Sequence, residues 1–188
     1  MMAKIVASKL TRIEKKYKLL VKEQAGFRNL EECAGQATTL YEIIHYSKAY
    51  DRVPHMALLH KLRAMGIGGK LLHMITGMYR TPKIVVRVGN TVSNYANYHC
   101  GVRQGCPASP ILFDFYINDI FEGIEGVDVP GLPNRIPGLL FADDAVVLAD
   151  SPENLQISLD KISTWSDTWE MKVNAAKCAR SHWSKEKA

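Results

Sequence analysis

The 188-residue sequence predicts an α+β domain, and three observations lead there. Apolar residues recur at helical spacing in several separate stretches. Between them lie short runs of branched and aromatic residues bounded by Gly, Pro and Asn, as antiparallel strands are. With 47% hydrophobic and 23% charged residues, the chain is long and apolar enough to bury one core.

Val6, Leu10, Ile13, Tyr17 and Leu20 share one helical face, so residues 3–21 read as an amphipathic helix with a basic outer side. Pro54 sits at a first helical turn, Leu58, Leu59, Leu62 and Met65 line the face that follows, and Gly66 closes the segment. After Gly68-Gly69 comes a second helix carrying Leu71, Leu72, Ile75 and Met78. Residues 84–88 alternate as a strand, Gly89-Asn90 offers a turn, and residues 92–100 return. Ser109-Pro110 has the form of a helix start, a capping hydroxyl and then a first-turn proline, and the apolar helix it opens reaches about Phe121. Residues 130–137 form a Pro- and Gly-rich loop. Ser151-Pro152-Glu153 repeats the cap, with Leu155, Leu159, Ile162, Trp165 and Trp169 predicted on the core face. The tail from Ser181 is expected to fray.

No apolar run approaches a membrane span and no signal-peptide pattern opens the chain, so an intracellular protein with no membrane contact is expected. Cys33, Cys100, Cys106 and Cys178 form no CxxC pair and no His-Cys cluster, so neither a zinc site nor a disulfide framework is suggested and they read as reduced core or strand residues. The net charge of +5 is uneven: residues 1–28 hold eight Lys or Arg against two Glu, a balance of +6. Such a block is either a polyanion contact or a solvated helix face.

The stretch that organises the chain is Gly138-Leu-Leu-Phe-Ala-Asp-Asp-Ala-Val-Val-Leu-Ala-Asp150, two apolar runs around adjacent carboxylates. It reads as a hairpin with Asp143 and Asp144 at its tip. Like charges held rigidly side by side repel and call for a cation, a divalent metal being the usual one. Side chains alternate along a strand, so one Asp would be a primary ligand and the other secondary. Alone, such a pair is more often a simple turn signature.

Phe141-Ala142-Asp143-Asp144 resembles the metal-binding hairpin of reverse transcriptases, and four further blocks stand in that family's order. They are Gln24-Ala25-Gly26-Phe27-Arg28 in the fingers, Ser47-Lys48-Ala49-Tyr50-Asp51-Arg52-Val53-Pro54-His55, the run from Gly101 through Gln104-Gly105 to Phe113, and Trp169 to Cys178. Together they resemble the reverse transcriptase of a non-LTR, LINE-like retrotransposon. The resemblance implies an antiparallel polymerase palm backed by helices, with part of the fingers (residues 1–36), a palm over 37–180 and a loose end at 181–188. It leaves no residues for a thumb or an endonuclease.

It also implies two-metal nucleotidyl transfer. Two Mg²⁺ ions about 3.5–4 Å apart would activate the primer hydroxyl and stabilise the leaving oxygen. Asp143 and Asp144 would be the metal ligands. Arg28 would hold the incoming triphosphate, Tyr50 would lie beneath the sugar, Gln104 and Gly105 would floor the nucleotide, and Lys177 would protonate pyrophosphate. RNA or an RNA/DNA hybrid and dNTP are the implied partners, with a protein or ribonucleoprotein partner as the rival, and the nucleus or cytoplasm is the expected compartment, a mitochondrial address staying open.

One departure stands out. Family members carry an apolar strand ending in Asp five positions before the aromatic, and counting back from Tyr50 reaches His45. Residues 40–44 look like the helix that precedes that strand, joined almost directly to Ser47, as though a segment were deleted. Either a substitute strand from residues 38–46 or a distorted sheet is expected, with a weak or inactive centre. Asp51 follows Tyr50 and is aimed away by alternation.

Overall fold

The computed structural model describes residues 2–21, 42–46, 48–129 and 132–180. In chain order its elements are α1 (Met2–Tyr17), β1 (Glu42–His45), α2 (Ala49–Arg52), α3 (His55–Ala64), α4 (Gly69–Tyr79), β2 (Lys83–Ile84), β3 (Arg87–Val88), β4 (Thr91–Val92), β5 (Ala96–Asn97), α5 (Ser109–Ile117), β6 (Gly138–Phe141), β7 (Asp144–Val147), α6 (Pro152–Thr168) and β8 (Ala179–Arg180). The α+β class follows directly. The Gln24 to Arg28 block, residues 37–41 and the tail from Ser181 lie outside the described residues.

The chain divides into two compact units that interleave in sequence: Met1–Leu19 with Tyr50–Tyr116, and Leu20–Ala49 with Ile117–Ala188. The first unit is mostly helical. α1 packs on α4, and α3 on α4. α1 buries Val6 and Leu10 but ends before its predicted limit, because Lys18 turns into the left-handed region (φ 50°) while its amide still bonds the Glu14 carbonyl at 2.6 Å. α3 buries Leu58, Leu59 and Leu62, and Gly66 follows it with φ 80°. α5 is enclosed on every side, with Leu112, Phe113, Phe115 and Tyr116 fully buried. Each such side chain contributes roughly 1.5–3 kcal/mol of transfer free energy. Its expected cap is used differently: the Ser109 hydroxyl donates to the Arg103 carbonyl at 2.6 Å, fastening the preceding loop.

The two long strands predicted over residues 84–100 are instead four two-residue strands, with β2 paired to β5 and β3 to β4 around the Gly89-Asn90 turn. Both faces of this ribbon are open, and Val86, Val88, Val92 and Tyr95 are all more than half exposed.

The second unit is built on a four-stranded antiparallel sheet in the order β6-β7-β1-β8. Residues 42–45 therefore form a central strand where the sequence suggested the end of a helix. These residues fall inside the 38–46 span expected to supply a strand, and the short stretch commits to extended backbone because it gains ladder hydrogen bonds on both edges. α6 backs the sheet at β7. The Ser151 hydroxyl accepts from the Asn154 amide at 3.1 Å, with Pro152 in the first turn, so this cap forms as predicted. Leu140, Ala145, Val147 and Ile162 are buried. Tyr46 continues β1 by a bridge to Val173, and its phenol lies 3.3 Å from the Ser166 hydroxyl. Burial pushes that phenol up to about 12.

Candidate active site

The hairpin register is Leu140 opposite Ala145 and Phe141 opposite Asp144, leaving Ala142 and Asp143 as a two-residue turn. The tip is thus Ala142-Asp143, and Asp144 is the first residue of the returning strand. Ala142 takes φ 55°, a left-handed conformation that costs an L residue about 1–2 kcal/mol. Asp143 and Asp144 are both half-buried, while Phe141 is 45% exposed beside them.

β1 runs on the other side of β7, with Ile44 opposite Ala145 and His45 opposite Asp144. Asp144 is therefore flanked in the sheet by Phe141 and His45, and facing positions in such a ladder have Cα atoms roughly 4.5–5.5 Å apart. The position where the family resemblance implies an acid is the one paired with Asp144. Beyond β1, Ala179 pairs with Ile43, which sets Lys177 in an exposed turn just before β8, its amide bonded to the Asn174 carbonyl at 2.9 Å.

Tyr50, Gln104 and Gly105 lie in the first unit. Tyr50, on α2, stacks its ring on Phe113 with centroids 4.4 Å apart and planes 15° from parallel. Its carbonyl accepts from the Val102 amide at 2.7 Å, and the Val53 carbonyl accepts from Gly101 at 2.7 Å. The two sequence blocks are thereby zipped together. Gln104 and Gly105 form an exposed turn. Gly105 has φ 74° and open space where a side chain would start, so backbone is what it offers to a ligand. Gln104 donates to an Asp51 carboxylate oxygen at 3.0 Å. Asp51 lies on α2 with Tyr50, on a helix and not on an alternating strand. Arg28 lies outside the described residues.

One residue of this region carries a role that sequence reasoning did not assign. His55 is buried, its Nε2 is 2.8 Å from the Gly101 carbonyl, and its ring meets Tyr79 and Tyr98 at 4.8 and 5.3 Å. Burial pushes its imidazole below the ordinary 6.5, partly offset by the hydrogen bond to Gly101, with His99 and Arg103 adding repulsion. Gly101, at φ 95°, has no room for a Cβ: it would strike the Tyr98 hydroxyl and sit 2.9 Å from the Asp51 carbonyl oxygen. His55 and Gly101 together fix the start of the loop that presents Gln104 and Gly105. The only sequence signal was the His at the end of its block.

A second missed feature is electrostatic. From Arg52 to Phe113 the sequence has no Asp or Glu, against eight Lys or Arg. The first unit as a whole holds 14 Lys or Arg and three acids, a balance of +11. Of those acids Glu14 and Asp114 are buried, so Asp51 alone is exposed.

Reverse transcriptases use divalent metal. Two adjacent carboxylates on the hairpin match half of a two-metal donor set. A histidine at the third position does not complete it for Mg²⁺, which takes oxygen ligands, whereas imidazole suits zinc or copper. Among the described residues no group of three or more His, Cys, Asp or Glu is gathered to hold a metal ion.

The family model described as "Reverse transcriptase (RNA-dependent DNA polymerase)" matches residues 1–187. The chain is 31% identical over 137 residues to a Pol polyprotein of the type-1 retrotransposable element R2 from Nasonia vitripennis, covering 72% of this chain and 13% of that protein. It is 24% identical over 211 residues to the RNA-directed DNA polymerase of the mobile element jockey from Drosophila funebris, covering 95% and 22%. The chain thus spans under a quarter of the length of these relatives. Among solved structures, telomerase from Candida albicans in complex with the TWJ fragment of telomeric RNA superposes with a TM-score of 0.66 at 12% identity, covering 99% of this chain and 36% of that one. Apo telomerase from Candida tropicalis gives 0.64 at 16% identity, over 99% and 41%. These establish the fold as that of a polymerase palm with fingers, and the sequence blocks, the hairpin and the family match agree: the chain belongs to the reverse transcriptase (RNA-dependent DNA polymerase) family, among the polymerases of non-LTR retrotransposons.

Proposed function

We propose that the chain is a reverse-transcriptase domain that holds an RNA or RNA/DNA template-primer and transfers nucleotides weakly or not at all. The observation that carries this reading is the register of His45 opposite Asp144. A two-metal centre needs carboxylate oxygens converging on both ions. Here the strand position paired with Asp144 is a histidine and not an acid, so Asp143 and Asp144 form an incomplete Mg²⁺ ligand set.

The other site residues are assigned the uses that the family resemblance implies. Tyr50, Gln104 and Gly105 supply a floor for a dNTP, Arg28 a two-pronged grip on triphosphate and Lys177 a cation for pyrophosphate. The exposed charge of the first unit supports contact with a nucleic-acid backbone. The same charge also favours a second reading, a non-catalytic scaffold retained for RNA binding or protein docking.

Extension of a DNA primer on an RNA template with Mg²⁺ tests the proposal, with retention of the template-primer followed on a native gel. The expected result is a retained template-primer with no measurable product. Robust dNTP incorporation by the pure chain overturns the catalytic half, and failure to retain RNA overturns the binding half.

A further inference from the structure

The second unit contains a groove unrelated to the hairpin. One wall is the segment Asp119–Gly123; the other is α6, whose positions 157, 160, 161, 164, 165, 168 and 169 form one helical stripe. The groove is shallow and open, with a volume of about 670 Å³. α6 turns a different face inward, with Ser158, Ile162 and Ser166 buried. Trp165 and Trp169, which periodicity assigns to the core, are only half-buried and line the groove instead.

The chemistry of its wall is specific. The Trp165 Nε1 donates to an Asp119 carboxylate oxygen at 2.9 Å, which fixes that indole in place. Asp160 and Glu122 stand exposed at the rim, and Ile157 is 52% exposed beside them. The single cation of the lining, Lys161, donates to the Gly123 carbonyl. The unit around it holds 16 acids against ten Lys or Arg, a balance of −6. Carboxylates repel a phosphate backbone, whereas indole faces and carboxylates together receive guanidinium or ammonium groups. Tryptophans set in a part-apolar groove are also what concentrates binding energy at protein interfaces.

We propose that this groove is a docking site for an arginine- or lysine-bearing segment of another protein, its cations held by Asp160 and Glu122 against the tryptophan faces. The groove's lining shares no residue with the hairpin or with the first unit, so the proposal stands whatever the chain's polymerase activity. The test titrates the full chain with an acetylated, amidated peptide carrying two arginines around a leucine, and with the same peptide carrying glutamates. Tryptophan fluorescence and the indole N–H resonances report binding. Saturable binding of the arginine peptide alone is expected, with the Trp165 indole resonance moving. Asp160→Lys should weaken it at least tenfold, as should Glu122→Lys, while Asp167→Lys, a reversal on the same helix outside the groove, leaves it within twofold. Absence of binding at millimolar peptide, equal binding of the glutamate peptide, or equal weakening by Asp167→Lys overturns the proposal.

Discussion

At the scale of single residues, the first unit's loop depends on a contact between groups distant in sequence. His55 reaches Gly101 across 46 positions, and Gly101 tolerates no side chain. Gly101→Ala combines a left-handed φ with collisions against Tyr98 and the Asp51 backbone, so it should destabilise the chain by at least about 2 kcal/mol, read as a shifted denaturant midpoint at unchanged slope. His55 itself makes stability pH-dependent. Its folded pKa lies below 6.5, so the unfolded chain binds the extra proton first as pH falls. The stabilisation is complete above 6.5 and is lost as pH drops from there through the folded value. Stability measured from pH 8 to 5 should fall in that window for the wild type and less steeply for His55→Gln. The paired aspartates were legible because they are adjacent in sequence. The role of His55 was not, because its partner is a backbone carbonyl that only the fold brings near.

At the scale of elements, the sheet of the second unit shows where local pattern gives way to tertiary pairing. Glu42, Ile43 and Ile44 follow an apolar run that a helix would also accept; β7 and β8 on either side decide the matter. The reverse holds for the ribbon of residues 83–97, where alternation was clear but the strands stay short and exposed because among the described residues nothing packs on either face. The α6 cap was read correctly because Ser, Pro and Glu act locally, while the tryptophans were misassigned because periodicity gives a face and not what covers it. Tight packing in the hairpin supplies a check. A Cβ at Gly138 would strike the Val146 carbonyl oxygen and the Phe121 ring, reaching its Cε1 at 2.7 Å. Gly138→Ala should therefore loosen the β6–β7 pairing and cost about 1–3 kcal/mol, visible as faster amide exchange at Ala145 and Val147.

At the scale of the whole molecule, charge is divided as sharply as the fold. The acid-free run from Arg52 to Phe113 is present in the sequence, but the two units interleave along the chain, so their +11 and −6 balances emerge only from the fold. If RNA rests on the first unit, its affinity should fall steeply with salt, and removing the exposed Arg87 should reduce the slope of log K against log salt by about one. A reverse-transcriptase body is present, and its centre, as proposed above, is short of one carboxylate at the position paired with Asp144. The most direct measurement compares RNA-templated primer extension by the wild type, His45→Asp, and His45→Asp with Asp144→Asn, all with Mg²⁺. The account predicts no product from the wild type, a gain of at least about tenfold over background from His45→Asp, and loss of that gain in the double variant. Strong extension by the wild type that His45→Asp leaves unchanged would contradict it.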